Sequence, residues 1–267
     1  MIHRARSLAR KADRQLQVGL QKAFERRLGV ETTGKEGLDE RGLAGEDRIY
    51  HAASPTVTLR RALERAGAGP ADVFADIGSG KGHALLVAGQ LPYRKIIGVE
   101  LAEDWNRIAA ENVERARSRL ACQDFEFVTA DALEWEIPDD LTLVYMYCPF
   151  LAGTFEAFLD RLVAAHDAHP RPMQLVYGYP FEHNRVARHE RFAVVDVNSA
   201  NWPRRPGWWE SDHMIITYKL LAPGESAPPQ NTNGYRQREA LSHWSQPNDV
   251  RFELHPPDGP AIYSQPA

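Results

Sequence analysis

Between Asp72 and Tyr179 short apolar runs alternate with stretches of helical periodicity, and no other feature of the chain limits its fold as much. Strands are predicted at Asp72–Ile77, Lys95–Val99, Phe125–Thr129, Leu141–Met146 and Leu175–Tyr179. Between them, Ala84–Ala88 is apolar on every side, as a helix pressed against a sheet must be. Trp105, Ile108, Ala109, Val113, Ala116 and Leu120 mark one face of a longer helix, and Phe155, Phe158, Leu159, Leu162 and Val163 mark another. Alternation of this kind predicts an α/β fold, doubly wound, with a mostly parallel sheet covered on both faces. The pattern then changes. Phe192–Val197 and Met214–Leu220 are strands with no helical stretch between them, so an antiparallel pair is predicted. Their connection, residues 198–211, carries Trp202, Trp208 and Trp209, which can wall a pocket or pack the pair on the body.

The flanks read differently from this core. The first 28 residues hold eight Lys and Arg against Asp13 and Glu25, about +6 in a chain of net charge -4. Leu8, Ala12, Leu16, Leu20, Phe24 and Leu28 recur every four residues, which predicts a basic N-terminal helix with one apolar stripe docked on the body. Contact with nucleic acid or an anionic membrane surface is expected only through this helix. Residues 31–47, with four glycines, read as a loop. Ser54-Pro55 reads as a helix start, with Ser54 as N-cap, Leu59, Ala62, Leu63 and Ala66 as the buried stripe, and Gly67 and Gly69 as its end. The last 45 residues hold 8 of the 18 prolines and little periodicity, an irregular Pro-rich arm or tail that Trp244, Phe252 and Tyr263 can pin to the body. The expected division is therefore 1–49, 50–222 and 223–267. The overall acidity excludes a generally basic nucleic-acid binder. The two cysteines, Cys122 and Cys148, exclude a disulfide framework and a cysteine zinc site, and no metal cluster is evident. No apolar run approaches the roughly 20 residues of a membrane helix, and no signal-type apolar core lies near Met1, so a cytoplasmic protein is expected.

The chemistry centres on Asp76-Ile77-Gly78-Ser79-Gly80-Lys81-Gly82, placed between a strand and a helix. Glycines there allow torsions that a Cβ forbids and let backbone approach a ligand closely. A phosphate-binding P-loop requires Ser or Thr after Gly-Lys, whereas Gly82 follows Lys81. A dinucleotide fingerprint requires a glycine at the sixth position from Gly78, where His83 stands. A turn that merely needs flexibility has no use for the acid just before it. Two further acids close the next strands: Glu100, placed to accept both hydroxyls of a ribose, and Asp131, placed to reach an adenine amino group.

Residues from about Tyr50 to Leu220, and above all "FADIGSGKGHALLVA" and "IIGVELAEDW", resemble class I S-adenosylmethionine-dependent methyltransferases of bacterial type, with some likeness to the Dot1-type lysine methyltransferase core. The resemblance implies a seven-stranded sheet with an antiparallel last strand and S-adenosyl-L-methionine as cofactor. It implies that Asp76, Gly78 and Gly80 hold the methionine end, that Glu100 holds the ribose, that Asp131 and Ala132 contact the adenine, and that Ser79, Gly82 and Leu101 belong to the same cofactor site. Tyr147-Cys148-Pro149-Phe150 falls where that family places its catalytic segment, but Tyr147 or Cys148 replaces the Asn or Asp that accepts bonds from a substrate amine. The carbonyl before Pro149 remains as an acceptor, and Phe150 can stack on a flat substrate or face a cation.

An amine nucleophile must lose a proton, and Tyr179, Glu182 and His183 after the fifth strand, with His213 beside Asp212, are the candidate bases. The predicted function is transfer of a methyl group from S-adenosylmethionine to a nitrogen or oxygen, nitrogen slightly favoured, of an unidentified small-molecule or protein acceptor. Two alternatives stand beside it: a catalytically degenerate scaffold that binds S-adenosylmethionine or a nucleotide, and a nicotinamide-dependent oxidoreductase.

Overall fold

The structure, a computed structural model, describes residues 2–34, 42–43, 47, 53–198 and 214–226, and side chains from residue 15 onward except that of Asn184. In chain order the elements are α1 (Ile2–Leu28), α2 (Thr56–Arg65), β1 (Val73–Ile77), α3 (His83–Gly89), β2 (Lys95–Glu100), α4 (Glu103–Ala116), β3 (Phe125–Thr129), β4 (Leu143–Tyr147), α5 (Ala152–Ala168), β5 (Gln174–Gly178), α6 (His183–Arg188), β6 (Phe192–Asn198) and β7 (Ile215–Leu220). A single 3₁₀ turn, Arg117–Arg119, follows α4.

The strands form one seven-stranded sheet in the order β3-β2-β1-β4-β5-β7-β6. β1 pairs in parallel with β2 and β4, β2 with β3, and β4 with β5, while β7 runs antiparallel to both β5 and β6. The sheet expected from the alternation and the resemblance is thus the one formed. Its side chains alternate between two cores, as the two-residue period of a strand requires. Val73, Ala75, Ile77, Val144, Met146, Leu175 and Tyr177 point to one side, where α5 brings Phe155, Phe158, Leu159 and Leu162. Phe74, Ile96, Leu143, Tyr145 and Val176 point to the other, where α2 supplies Leu59, Ala62 and Leu63 and α3 supplies Ala84, Leu85, Val87 and Ala88. Burial on both faces explains why the central strands are apolar throughout. At the edge, β3 is only half-buried.

Three expectations need correction. The N-cap of α2 is Pro55, whose carbonyl accepts the Leu59 N–H, and Ser54 makes no cap. Its hydroxyl instead accepts a 2.7 Å bond from the Tyr145 hydroxyl. On α1, Gln17, Glu25 and Leu28 are buried, while Leu16 is 59% exposed. A four-residue repeat gains about 40° per step on a helix of 3.6 residues per turn. The stripe that begins correctly at Leu28 has therefore wound off the docking face by Leu16. Helix α6 has no counterpart among the predicted elements, which place no helix between the fifth strand and Phe192. The Trp202, Trp208 and Trp209 connection, Asp212, His213 and residues 227–267 lie outside the described residues, as does most of the loop 31–47. No described helix is long and apolar enough to cross a membrane.

Gly178, at the end of β5, makes room for its neighbours: a Cβ there would lie 2.6 Å from Tyr147 Cδ2 and 2.9 Å from the Tyr145 hydroxyl. Both rings belong to the adjoining strand and cannot easily withdraw. Gly178→Ala is expected to cost about 1–3 kcal/mol through overpacking, measured as a lowered midpoint in urea with an unchanged slope.

Candidate active site

The strand order reverses at β1: the chain builds outward to β2 and β3 on one side, then crosses to β4 and β5 on the other. Open α/β sheets take ligands in the crevice beyond the carboxyl ends of strands at such a reversal. A cleft of about 900 Å³, counting its open mouth, lies there. From the ends of β1 and β2 it is lined by Asp76, Gly78, Ser79, Glu100 and Leu101; from the end of β3 by Asp131 and Ala132; and from the end of β4 by Tyr147, Pro149 and Phe150.

The turn after β1 is held by its own backbone. Gly78 N–H and Ser79 N–H both donate to the Val99 carbonyl, at 2.8 and 3.1 Å. Gly80 N–H donates to Glu100 Oε2 at 2.7 Å, and Ala102 N–H to Glu100 Oε1 at 2.9 Å. Gly78, Gly80 and Gly82 all have positive φ, which is why glycine recurs on this turn. A Cβ on Gly78 would also fall 2.8 Å from Pro149 Cβ, so this glycine lets the β1 and β4 turns close on each other.

The electrostatics single out Asp76. It is 3% exposed, and among the described residues no donor bonds its carboxylate. Burial, with the Glu100 carboxylate adding to it, pushes Asp76 well above the usual carboxylate range. Burial also raises Glu100, but the N–H groups of Ala102, Gly80 and Leu101 oppose that rise. Asp131 Oδ1 accepts the Leu133 N–H at 2.9 Å and is only half-buried. The cleft thus offers a buried carboxylate without a counter-charge, a backbone-braced carboxylate and a more open one, each at the end of a successive strand.

Five of the expected site residues do not line the cleft. Gly80 and Gly82 lie behind it, and Gly82 packs against Ala109 of α4. Cys148 turns into the core, where the Tyr177 hydroxyl donates to its Sγ at 3.5 Å and burial pushes the thiol up to about 12, which leaves it protonated. Glu182 is 5% exposed; its Oε1 accepts the Ala152 N–H at the start of α5, and its Oε2 pairs with Arg185. His183 is buried against Tyr218, with Nδ1 2.6 Å from the tyrosine hydroxyl. These last two tie α5, α6 and β7 together. Tyr179 lies beside Tyr147, ring centroids 6.2 Å apart, but is not on the cleft wall. Conversely, Ala53, Ser54, His83, Trp105 and Thr154 line the cleft without having been read as site residues. Ser54 and His83 stood in plain view, one taken for a cap and the other for a break in a glycine fingerprint.

No model of a known protein family matches the chain, and no curated protein does. Among solved structures it is similar to an RNA methyltransferase from Salinibacter ruber in complex with S-adenosyl-L-homocysteine, at 20% identity and TM-score 0.44, over 67% of this chain and 98% of that one. It is similar to a TehB-like SAM-dependent methyltransferase from Corynebacterium glutamicum at 16% identity and TM-score 0.45, over 62% and 88%. A dimethyladenosine transferase from Plasmodium falciparum matches at 12% identity and TM-score 0.46, over 64% and 63%. Likeness this distant does not bear on activity, and the fold stands on the sheet itself.

Two consequences concern pH. Because the folded state favours protonated Asp76, stability falls as pH rises from the ordinary carboxylate range towards its raised folded value. Asp76→Asn removes that loss, so the variant is expected to be more stable than the parent at pH 7 and to lose its advantage near pH 4, as read by urea unfolding at both. His183 goes the other way. Burial lowers it from 6.5 to about 4, so stability is complete above 6.5 and is lost as pH falls through that window. The loss is on the order of 3 kcal/mol. His183→Phe, measured across the same range, is expected to flatten this part of the profile.

Proposed function

We propose that the chain is a methyltransferase that moves a methyl group from S-adenosyl-L-methionine to a nitrogen or oxygen of an acceptor, with nitrogen favoured. The observation that carries this reading is the trio of carboxylates Asp76, Glu100 and Asp131 at the ends of three adjacent strands, around one cleft at the sheet's reversal. The cofactor's groups fit what the cleft offers. Asp76 is buried without a counter-charge, which suits the ammonium of the methionine end. Glu100 accepts backbone N–H groups at both oxygens and still has acceptor capacity left for a ribose diol. Leu101 and Ala132 give an apolar slot beside Asp131 for the adenine. The sheet supports the same choice over a nicotinamide oxidoreductase, because β7 enters antiparallel between β5 and β6, whereas the dinucleotide fold has the order 3-2-1-4-5-6 without that insertion.

When bound, the sulfonium supplies an electrophilic methyl carbon and a neutral leaving group. The protein's work is then alignment, worth up to roughly 7 kcal/mol or more for well-oriented reactants. Tyr147, Pro149 and Phe150 form the acceptor side, a neutral wall with two aromatic rings that suits a flat or apolar acceptor. Cys148 takes no part in this because its side chain faces the core. The Cys148 carbonyl, fixed just before Pro149, is the group we assign to steer an acceptor N–H.

A second reading, a binding scaffold without turnover, is favoured by one observation: the β4 end lacks the polar side chain that the resemblance leads one to expect. Calorimetry with S-adenosylmethionine, S-adenosylhomocysteine and NAD decides first. Both adenosyl compounds are expected to bind and NAD is not; binding of NAD alone overturns the proposal. Glu100→Ala is expected to weaken adenosyl binding by about 2 kcal/mol, some 30-fold. Transfer of labelled methyl groups to an acceptor pool then separates the enzyme from the scaffold.

A further inference from the structure

The N-terminal segment, which the sequence sets apart from the catalytic body, reaches the cleft through polar contacts that mere docking of a helix would not require. Glu25, near the end of α1, is 7% exposed and accepts four hydrogen bonds from the following turn. Thr32 N–H and Thr33 N–H each donate to Oε1 at 2.6 Å, Thr32 Oγ1 donates to Oε1 at 3.0 Å, and Thr33 Oγ1 donates to Oε2 at 2.9 Å. Burial alone would raise its pKa, but these bonds outweigh it and hold Glu25 below its ordinary value.

Thr32 Oγ1 also lies 2.8 Å from His83 Nδ1, and Thr56 Oγ1 lies 3.0 Å from His83 Nε2. A hydroxyl has one proton to give, and that of Thr32 goes to Glu25. With that proton committed, a neutral His83 donates from Nδ1 to Thr32 and accepts at Nε2 from Thr56. Phe24 packs beside the imidazole in a tilted arrangement, ring centroids 5.2 Å apart. The ring is held at both nitrogens, directly after Gly82, and it lines the cleft.

Two more contacts run the same way. Asn112 of α4, fully buried, donates to the Glu31 carbonyl at 2.9 Å and to the Lys81 carbonyl at 3.1 Å, tying the turn after α1 to the glycine turn. Gln21 Nε2 donates to the carbonyls of Ala53 and Ser54, at 3.0 and 2.9 Å, and both residues line the cleft.

We propose that residues 21–33 act as a clamp on the cleft, with His83 as its positioning residue: through Thr32, Asn112 and Gln21 the end of α1 sets the glycine turn and the Ser54 wall in their ligand-ready places. The predicted consequence for ligand affinity rests on the function proposed above. The consequence for the glycine turn does not.

The test uses the full chain with Thr32→Val and, from the other side of the imidazole, Thr56→Val; Thr32→Ser restores the hydroxyl and Leu16→Ser is the exposed control on α1. Amide hydrogen exchange over residues 80–86 is read without ligand, and the dissociation constant of S-adenosylhomocysteine by calorimetry. Each Val variant is expected to speed exchange and weaken binding by about tenfold or more, since it strands a buried donor or acceptor, while Thr32→Ser and Leu16→Ser stay near the parent. Parental exchange across 80–86 in a folded Val variant overturns the clamp. Should the parent bind neither adenosyl compound, the proposed function fails, and exchange alone decides the clamp.

Discussion

Everything in the site depends on the close approach of two strand ends, β1 and β4, at the point where the sheet's order reverses. The strands pair as far as Ile77 with Met146 and then part, the chain turning towards α3 on one side and α5 on the other. Helices that leave on opposite faces open a crevice between their first turns. How far it opens is set by Gly78 against Pro149, a contact that leaves no space for a side chain on the glycine. The same turn is stitched to β2 through Val99 and Glu100, so the three central strands share one rigid rim. Preorganisation of that sort is what the proposed methyl transfer calls for, because orientation is most of what a protein can contribute to it.

A rigid rim also lets the protein carry an unfavourable charge. Asp76 sits in the middle strand, where every neighbour in the register is buried, and neither the backbone N–H groups of the turn nor any described cation reaches it. Glu100, one strand away, accepts the N–H groups of Gly80, Ala102 and Leu101 and is eased by them. The contrast separates a carboxylate that helps build the turn from one that the turn leaves unsatisfied. A group kept against the interest of stability is what the proposed binding of an ammonium calls for, since the ligand then supplies what the fold withholds.

How much of this the sequence shows depends on the range of the interactions involved. The strands and the three acids at their ends are legible because each is a local pattern: β-periodicity, a glycine turn, an acid at a fixed offset. The mostly parallel sheet followed from alternation, because strands joined through helices pair in parallel. Residues whose meaning depends on distant partners were not legible. Ser54 beside Pro55 has the local look of a cap, yet its partner is Tyr145, 91 positions away. His83 broke a glycine motif, and nothing in its neighbourhood points to Thr32 and Thr56. Glu182 and His183 have the composition of a catalytic pair, but Ala152 and Tyr218 claim them. Leu16 shows the opposite error, where a real local pattern was extended past the point at which the helix turns it away from the body.

The ends of β4 and β5 show how such long-range support holds a conformation that local preference resists. Cys148 and Tyr179 both have φ of 48°, and each precedes a proline, so two neighbouring parallel strands end in the same uncommon left-handed turn. Each such residue costs of order 1–3 kcal/mol and persists only where its surroundings overdetermine it. Tyr177 supplies part of that support for both turns, since its hydroxyl donates to Cys148 Sγ and accepts the Glu182 N–H. Gly178 supplies another part by leaving room for the Tyr147 ring, which then stands against Tyr179. The effect is to swing Cys148 into the core while Tyr147, Pro149 and Phe150 meet the cleft. The segment that departs most from its expected sequence therefore still brings two aromatic rings and a proline to the cleft wall, and it does so through its backbone conformation rather than through any side chain at position 148.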